Sequence, residues 1–465
     1  MNMINVRRLT VMTFLGAGML SGISAQVSPL QVDTLKETKI PDQWDLQSCI
    51  DYAKEQNITI RKNRITAAST QIDVKTAKAA LFPSLSFSTG HQVVNRPYQE
   101  TSSRVSGSEI ISSNSKTSYN GNYGLNASWT LYNGNKRLKT IQQEKLNNQV
   151  AELDVATSEN NIQESIAQVY IQILYAAESV KVNESTLQVS IAQRDRGQEL
   201  LNAGSIAKSD FAQLEAQVST DRYQLVTAQA TLEDYKLQLK QLLELDGENE
   251  MNIYLPALSD ENVLAPLPTK KDVYIRALSL RPEIEASKLN VEASELGIGI
   301  AKSSYLPTIS LSAGIGTNHT SGSDFTFGEQ VKNGWNNSIG LSVSVPIFNN
   351  RQTKSAVQKA KLQYETSMLS LLDEQKTLYK TIEGLWLDAN SAQQRYAAAN
   401  EKLKSTQISY ELISEQFNLG MKNTIELLTE KNNLLQAQQE QLQAKYMAIL
   451  NMQLLKFYQG DQLAI

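Results

Sequence analysis

The chain has 465 residues, with 44 Lys and Arg against 48 Asp and Glu, and a formal net charge of −4. This slightly acidic balance argues against a nucleic-acid-binding protein, whose binding surface is basic. The single cysteine, Cys49, excludes an internal disulfide, so stability must come from packing or assembly.

The first 25 residues predict a secretory signal peptide. Arg7 and Arg8 precede a mostly apolar run, and Ser24 and Ala25 supply small residues before the expected cleavage site. A membrane anchor is the alternative, but the run is short for a helix that spans a bilayer, which needs about 20 apolar residues. Since no later apolar run approaches that length, we expect any membrane insertion to use strands.

The rest of the chain is predicted to contain two copies of one pattern. Residues 26–245 form the first repeat, residues 246–268 a polar linker, and residues 269–465 the second repeat. Each repeat has short helices, two strands, a long helix, a break and a further helix. The short helices are expected to begin near Asp45 and near Thr269.

Four predicted strands alternate between apolar residues and small uncharged residues, at 84–93, 123–132, 309–315 and 335–347. Period-two alternation predicts a sheet with one apolar and one polar face. An uncharged polar face is typical of a membrane barrel, with lipid outside and water inside, although two hairpins of a soluble sandwich would also alternate. Because four strands cannot close a membrane barrel, such a barrel must be shared between chains.

Two long runs, Asn135 to Ala203 and Arg351 to Leu419, are nearly free of proline and glycine. Each would form a helix about 100 Å long. Apolar residues at spacings of three and four predict coiled-coil packing, and the other helix faces are polar, as in a wall one helix thick. The series after each break includes Phe211, Leu214, Val218 and Leu225, and then Ile425, Leu428, Leu435 and Leu442.

The sequence contains no convincing catalytic constellation. Its two histidines, His91 and His319, fall in or beside predicted strands, where we expect positions in a barrel lumen or a loop rather than a metal site. We therefore expect no enzyme activity, no metal and no cofactor. The remaining functional classes are a conduit and a scaffold.

The ordered, duplicated motifs resemble those of the TolC-like outer-membrane efflux proteins, the outer membrane factors of tripartite efflux and secretion systems. The matching segments are LFPSLSFSTG at 81–90, YLPTISLSAG at 305–314, LRPEIEAS at 280–287, and the two breaks LNAGSIAKSDF at 201–211 and FNLGMKNTIEL at 417–427. The resemblance implies a mainly α protomer with membrane β structure. Three protomers would form a homotrimer that shares one twelve-stranded β-barrel and a periplasmic α-barrel of long coiled-coil helices. The short helices and the linker at 246–268 would form an equatorial belt around that α-barrel.

The resemblance also implies a location and partners. The protein is expected in the outer membrane of a Gram-negative bacterium, in contact with lipid and extending into the periplasm, without nucleic acid. It would passively conduct substrates from an inner-membrane transporter of the RND or ABC type, joined through a periplasmic adaptor (membrane-fusion) protein. The alternative is a secreted coiled-coil scaffold or adhesin without channel activity. The cargo and the pump class stay open.

The two breaks would then be helix-turn-helix tips at the periplasmic end. The resemblance implies that adaptor docking involves Gly204, Ser205, Gly420 and Met421. It implies that the gate involves Ser209, Asp210, Phe417, Lys422 and Glu426, with a Lys422–Asp210 pair as a latch. Thr429 stands where well-known members carry a second acidic residue, so a cation-binding double ring is not expected. Independently, glycine suits a helix end, and Ser209 or Asp210, like Asn423 or Thr424, suits a helix start.

Overall fold

A computed structural model describes residues 41–98, 102–106, 109–113, 116–246, 251–256, 263–321, 323 and 325–463. The predicted signal peptide lies outside the described residues. The helices are α1 (Leu46–Gln56), α2 (Ile58–Ala79), α3 (Lys136–Asn202), α4 (Lys208–Leu242), α5 (Lys270–Leu280), α6 (Pro282–Ser303), α7 (Phe327–Asn333), α8 (Gln352–Asn418) and α9 (Thr424–Tyr458). The strands are β1 (Ser84–Asn95), β2 (Ser102–Ser106), β3 (Glu109–Ser113), β4 (Thr117–Asn133), β5 (Thr308–Thr320) and β6 (Asn336–Ser344).

Apart from α7, the helices of the second half have the same order and the same lengths as those of the first half. Helices α3 and α8 have 67 residues each, and α4 and α9 have 35 each. The short helices start where the sequence predicts them, because the Asp45 and Thr269 side chains accept hydrogen bonds from backbone N–H groups of the first turn. Pro282 opens α6, where its missing N–H is not needed.

The four predicted strands form one antiparallel sheet in the order β1-β4-β5-β6. Their bounds differ from the predicted ones. Strand β4 begins earlier, at Thr117, and β6 ends at Ser344, before Val345. The adjacent Pro346 explains that end, because proline cannot donate to a strand ladder. The hairpin β2–β3 and helix α7 were not predicted.

The long helices pack as two antiparallel pairs, α3 with α4 and α8 with α9. The main core lies where these pairs meet α1, and it includes Trp44, Ile166, Tyr170 and Leu239. Cys49 is fully buried in this core, and burial raises the pKa of its thiol to about 12. The thiol is therefore protonated at neutral pH. Among the described residues, no helix is long and apolar enough to cross a membrane.

Arg281, between α5 and α6, ties the two halves together. Its guanidinium is 3.1 Å from Glu164 of α3 and 2.8 Å from Glu283 of α6. It also lies 4.1 Å from the ring centroid of Tyr458 in α9. The guanidinium is buried, and the two carboxylates and the aromatic face compensate for its desolvation.

Candidate functional site

Both breaks in the long helices are tight turns of the same kind. Gly204 and Gly420 have φ of +74° and +75°, in the left-handed region that L side chains avoid. At the first turn, the Ser205 N–H donates to the Leu200 carbonyl at 2.8 Å, and the Gly204 N–H donates to Leu201 at 3.0 Å. These two bonds make a Schellman motif, which satisfies the last carbonyls of α3.

The second turn repeats the motif. The Met421 N–H donates to the Gln416 carbonyl and the Gly420 N–H donates to Phe417, both at 2.9 Å. An added Cβ at either glycine would meet no atom within 4 Å. Glycine is therefore required by the backbone conformation and not by lack of space.

The helix after the first turn starts without a side-chain cap. Its N-cap is Ala207, so neither Ser209 nor Asp210 is the cap residue itself. Asp210 instead lies in the first turn of α4, where its carboxylate accepts a hydrogen bond from the Ala207 N–H at 3.3 Å. Ser209 is exposed next to it. A carboxylate at this place also complements the positive end of the helix dipole.

The helix after the second turn has a complete capping box. The Asn423 side chain accepts from the Glu426 N–H at 2.9 Å, and the Glu426 carboxylate accepts from the Asn423 N–H at 3.2 Å. The Lys422 ammonium donates to Glu426 at 2.6 Å. This ammonium, and then the Asn423 N–H, lowers the pKa of the Glu426 carboxyl.

Within one chain, the structure therefore brings Lys422 to Glu426 and not to Asp210. Phe417 is only 3% exposed, so its ring is part of the packed interior next to the turn. Met421 is 64% exposed, and the neighbouring Leu419 and Ile425 are also exposed. The second turn thus presents an apolar surface around Gly420, whereas the first turn presents Gly204 and Ser205, both exposed.

A buried charged cluster behind the turns was missed by the sequence reasoning. Lys431 of α9 and Asp221 of α4 form an ion pair, with side chains 3% and 2% exposed. The Lys431 ammonium also donates to the hydroxyl of Ser190 in α3, which in turn donates to Asp221. Gln217 donates to the second Asp221 oxygen at 2.9 Å.

This cluster, called here the interhelix ion pair (Ser190, Gln217, Asp221 and Lys431), links three helices. Desolvation lowers the pKa of Lys431, and the hydrogen bond and charge of Asp221 oppose that effect. Among the residues that the structure describes, this is the only contact between buried charges near the turns that joins the pair of α3 and α4 to α9. A relative movement of α9 would have to break it.

The comparisons with known proteins agree with this architecture. The profile of the outer membrane efflux protein family matches residues 49–244 and 273–460. The chain belongs to the outer membrane efflux protein family. As a member of this family the protein is located in the outer membrane, and its membership favours the channel interpretation over the scaffold or adhesin.

Individual members of the family are distant in sequence. Outer membrane protein TolC of Escherichia coli (strain K12) is 22% identical over 417 residues, which cover 88% of this chain and 80% of TolC. Outer membrane efflux protein BepC of Brucella suis biovar 1 is 24% identical over 290 residues, which cover 62% of this chain and 60% of BepC. The crystal structure of CusC matches with a TM-score of 0.76 at 18% identity, over 90% of this chain and 92% of CusC. These similarities establish the mainly α fold with its small sheet.

Proposed function

We propose that the protein is the exit duct of a tripartite efflux or type I secretion system. In this role a homotrimer passively conducts substrates through the periplasm and the outer membrane, without catalysing a reaction. The observation that supports this proposal most strongly is the four-stranded sheet, which has an exposed apolar face, no charged residue in its strands and two open edges.

The apolar face of this sheet is unsuited to water. Ile339 is 83% exposed, and Leu85 and Phe87 are each 69% exposed. Contiguous apolar patches of this kind mark interaction or membrane surfaces in proteins. The opposite face carries serine, glycine and asparagine, which suit a water-filled lumen. Lipid outside and water inside would satisfy both faces.

Each open edge of the sheet requires a strand from another copy of the chain as its partner. Strands β1 and β6 each pair on one side only within the chain. In a bilayer, every unpaired backbone group would cost several kcal/mol. Pairing of β6 in one chain with β1 in the next removes both edges, and three chains then complete a twelve-stranded barrel.

Disulfide trapping across the open edges tests this assembly. In a Cys49→Ala background, Phe87→Cys in β1 is combined in turn with a cysteine at each position of β6. We expect oxidation to yield a covalent trimer at one β6 position, or at two positions two residues apart, because only a cysteine on the same face and opposite position 87 comes within disulfide distance. Ile315→Cys in the interior strand β5, on the same face as Phe87, combined with Phe87→Cys, is the matched control and should give no trimer. Monomers at every β6 position would contradict the shared barrel.

The two turns are proposed as the end that meets the adaptor. The surface of the second turn is apolar at Met421 and its neighbours, and Gly204, Ser205 and Gly420 allow a partner's backbone to approach closely. Such a contact would join the duct to an adaptor and, through it, to an RND-type or ABC-type transporter of the inner membrane.

The gate is proposed to depend on competition for Lys422. In the chain by itself Glu426 holds this ammonium, and in the trimer Asp210, next to Ser209, is the second candidate partner. Both carboxylates are near helix starts, and the exchange should cost little because solvent screens exposed ion pairs. Phe417, buried beside the turn, would set the position of the segment that carries Lys422.

Single-channel recordings test the gate. We expect Asp210→Ala and Lys422→Ala to raise the conductance in planar bilayers, because each removes one partner of the latch. Lys402→Ala, which removes an exposed pair with Glu440 between α8 and α9, is the control and should leave the conductance unchanged. Parent-like conductance in both turn variants would refute the latch.

A further inference from the structure

The only two histidines of the chain meet on one face of the sheet. His91 in β1 and His319 in β5 are both register partners of Gly121 in β4. Since residues in register share a face, the two imidazoles lie on the same side, above Gly121, with ring centroids 6.3 Å apart. This is the face that carries Leu85 and Phe87. The lumen or loop position expected from the sequence stays a prediction.

Gly121 makes room for this meeting. A Cβ at position 121 would lie 2.2 Å from Cε1 and 2.7 Å from Nδ1 of His319, and 3.1 Å from Nδ1 of His91. No side chain fits there without displacing an imidazole. Both Nδ1 atoms lie within 3.1 Å of the point where this Cβ would be, so the two nitrogens border one small space over Gly121.

The partners of the two rings differ. The His91 Nδ1 is 2.8 Å from the Tyr119 hydroxyl, and its Nε2 is 3.1 Å from the Thr89 hydroxyl. The His319 Nδ1 is shielded from solvent and has no hydrogen-bond partner among the residues that the structure describes. An imidazole nitrogen that is buried without a hydrogen-bond partner is destabilising unless something binds it.

The surroundings hold the rings in place and exclude competing charges. Tyr123 stacks on His319 at 5.9 Å, and Phe327 of α7 meets the same ring edge-on at 5.0 Å. Strands β1, β4 and β5 contain no Asp, Glu, Lys or Arg. The cluster therefore offers imidazole nitrogens and one phenol oxygen, and no Lys or Arg of these strands is present to bind an anion.

We propose that His91 and His319 form a binding site for a divalent first-row transition-metal ion, held between their two Nδ1 atoms over Gly121. Imidazole suits Zn²⁺, Ni²⁺ and Cu²⁺, and Cu²⁺ should bind most strongly. A metal–nitrogen bond of about 2.0–2.1 Å would replace the contact between the His91 Nδ1 and the Tyr119 hydroxyl, and rotation of the exposed His91 ring permits that exchange. Among the described residues no third His, Cys, Asp or Glu joins the pair, so the Tyr119 hydroxyl would be the third ligand.

Such a site would join strands β1 and β5 across β4, at the end of the sheet remote from α2 and α3. A metal that binds the folded sheet alone stabilises it by RT ln(1 + [L]/Kd), which is about 2.7 kcal/mol at a hundredfold excess over Kd. The inference does not depend on channel activity, because all three strands belong to one chain.

Copper titration of the full-length protein, purified in detergent without a polyhistidine tag, tests the site. In the parent, we expect one Cu²⁺ per chain, with an electron paramagnetic resonance spectrum showing coupling to two imidazole nitrogens. His91→Gln and His319→Gln should each bind at least tenfold more weakly and show one nitrogen. The double variant should show none, and only the parent should gain thermal stability with Cu²⁺.

Two further variants separate the site from general effects. Gly121→Ala keeps both imidazoles but fills the space between them, and should weaken binding as strongly as loss of one histidine. Gln92→Ala, next to His91 on the opposite face of β1, should bind as the parent does. Equal binding by the parent and the double histidine variant, or a spectrum without imidazole nitrogens, would overturn the proposal.

Discussion

Removal of the Lys431 ammonium should destabilise the protein more than any exposed charge change. In Lys431→Met the Asp221 carboxylate stays buried, with only Ser190 and Gln217 as donors. Breaking a buried ion pair by removing one partner typically costs about 3–5 kcal/mol, because the remaining charge is desolvated without compensation. We therefore expect a loss of about that size in the free energy of unfolding.

The paired variant separates this penalty from the value of the ion pair. Lys431→Met combined with Asp221→Leu leaves no buried charge, and such replacements are often neutral or stabilising by about 1–4 kcal/mol. The double variant should therefore be more stable than Lys431→Met alone. A double-mutant cycle should give a coupling energy of several kcal/mol, since the two sites share one cluster.

Urea-induced loss of helical circular dichroism, in detergent, measures these energies. Lys402→Met is the matched control, because the Lys402–Glu440 pair has a 2.8 Å contact but both side chains are more than 40% exposed. It should cost no more than about 1 kcal/mol. If Lys431→Met and Lys402→Met lose equal stability, the interhelix ion pair does not hold α9 against α3 and α4.

Two further perturbations address the turns. Gly204→Ala and Gly420→Ala should each lower the free energy of unfolding by about 1–2 kcal/mol, because their φ is positive. Gly384→Ala, inside α8, places its Cβ in open space and should raise the free energy of unfolding by up to about 1 kcal/mol. If urea denaturation shows the same sign of change for all three variants, the assignment of Gly204 and Gly420 to left-handed turns is contradicted. The Glu426 pKa lies below its usual value of 4.5, so its contribution to stability is complete above that pH and is lost as the pH falls through the lowered pKa. The parent and Glu426→Gln should therefore differ in thermal midpoint at neutral pH, and this difference should vanish on acidification. If the difference persists below the lowered pKa, it does not come from the Lys422–Glu426 pair.

The sequence predicts the long helices almost to the residue because their ends have strong local determinants. Proline and glycine are nearly absent from the runs, and glycines at 204 and 420 set the turns. The strands are also predicted, since alternation of apolar and small residues is local. Their bounds are predicted less well, because β4 begins at Thr117 only through its pairing with Asn95 of β1.

The interhelix ion pair illustrates what local patterns leave out. Asp221 stands between Val218 and Leu225, at spacings of three and four, and so occupies an interior position of the apolar series in α4. Lys431 does the same between Leu428 and Leu435 in α9. Opposite charges at interior positions of two helices can be seen in the sequence. They predict an ion pair only when it is known that the two helices pack against each other.

The turn residues show a related limit. Lys422 pairs with Glu426, which the capping box holds one helical turn further along the chain. This is a local interaction that the rules for helix starts describe. A contact with Asp210 involves another helix and, in the proposed trimer, another chain. The meeting of His91 and His319 likewise depends on strand register, because 228 residues separate them in the sequence.

Planar-bilayer recording of the purified native protein tests the central claim most directly. As a trimeric exit duct, the protein should insert from detergent and give uniform, stepwise ion conductance, and heating to monomers before addition should abolish these steps. Folded protein with native helical content that associates with the bilayer but never conducts would contradict the account.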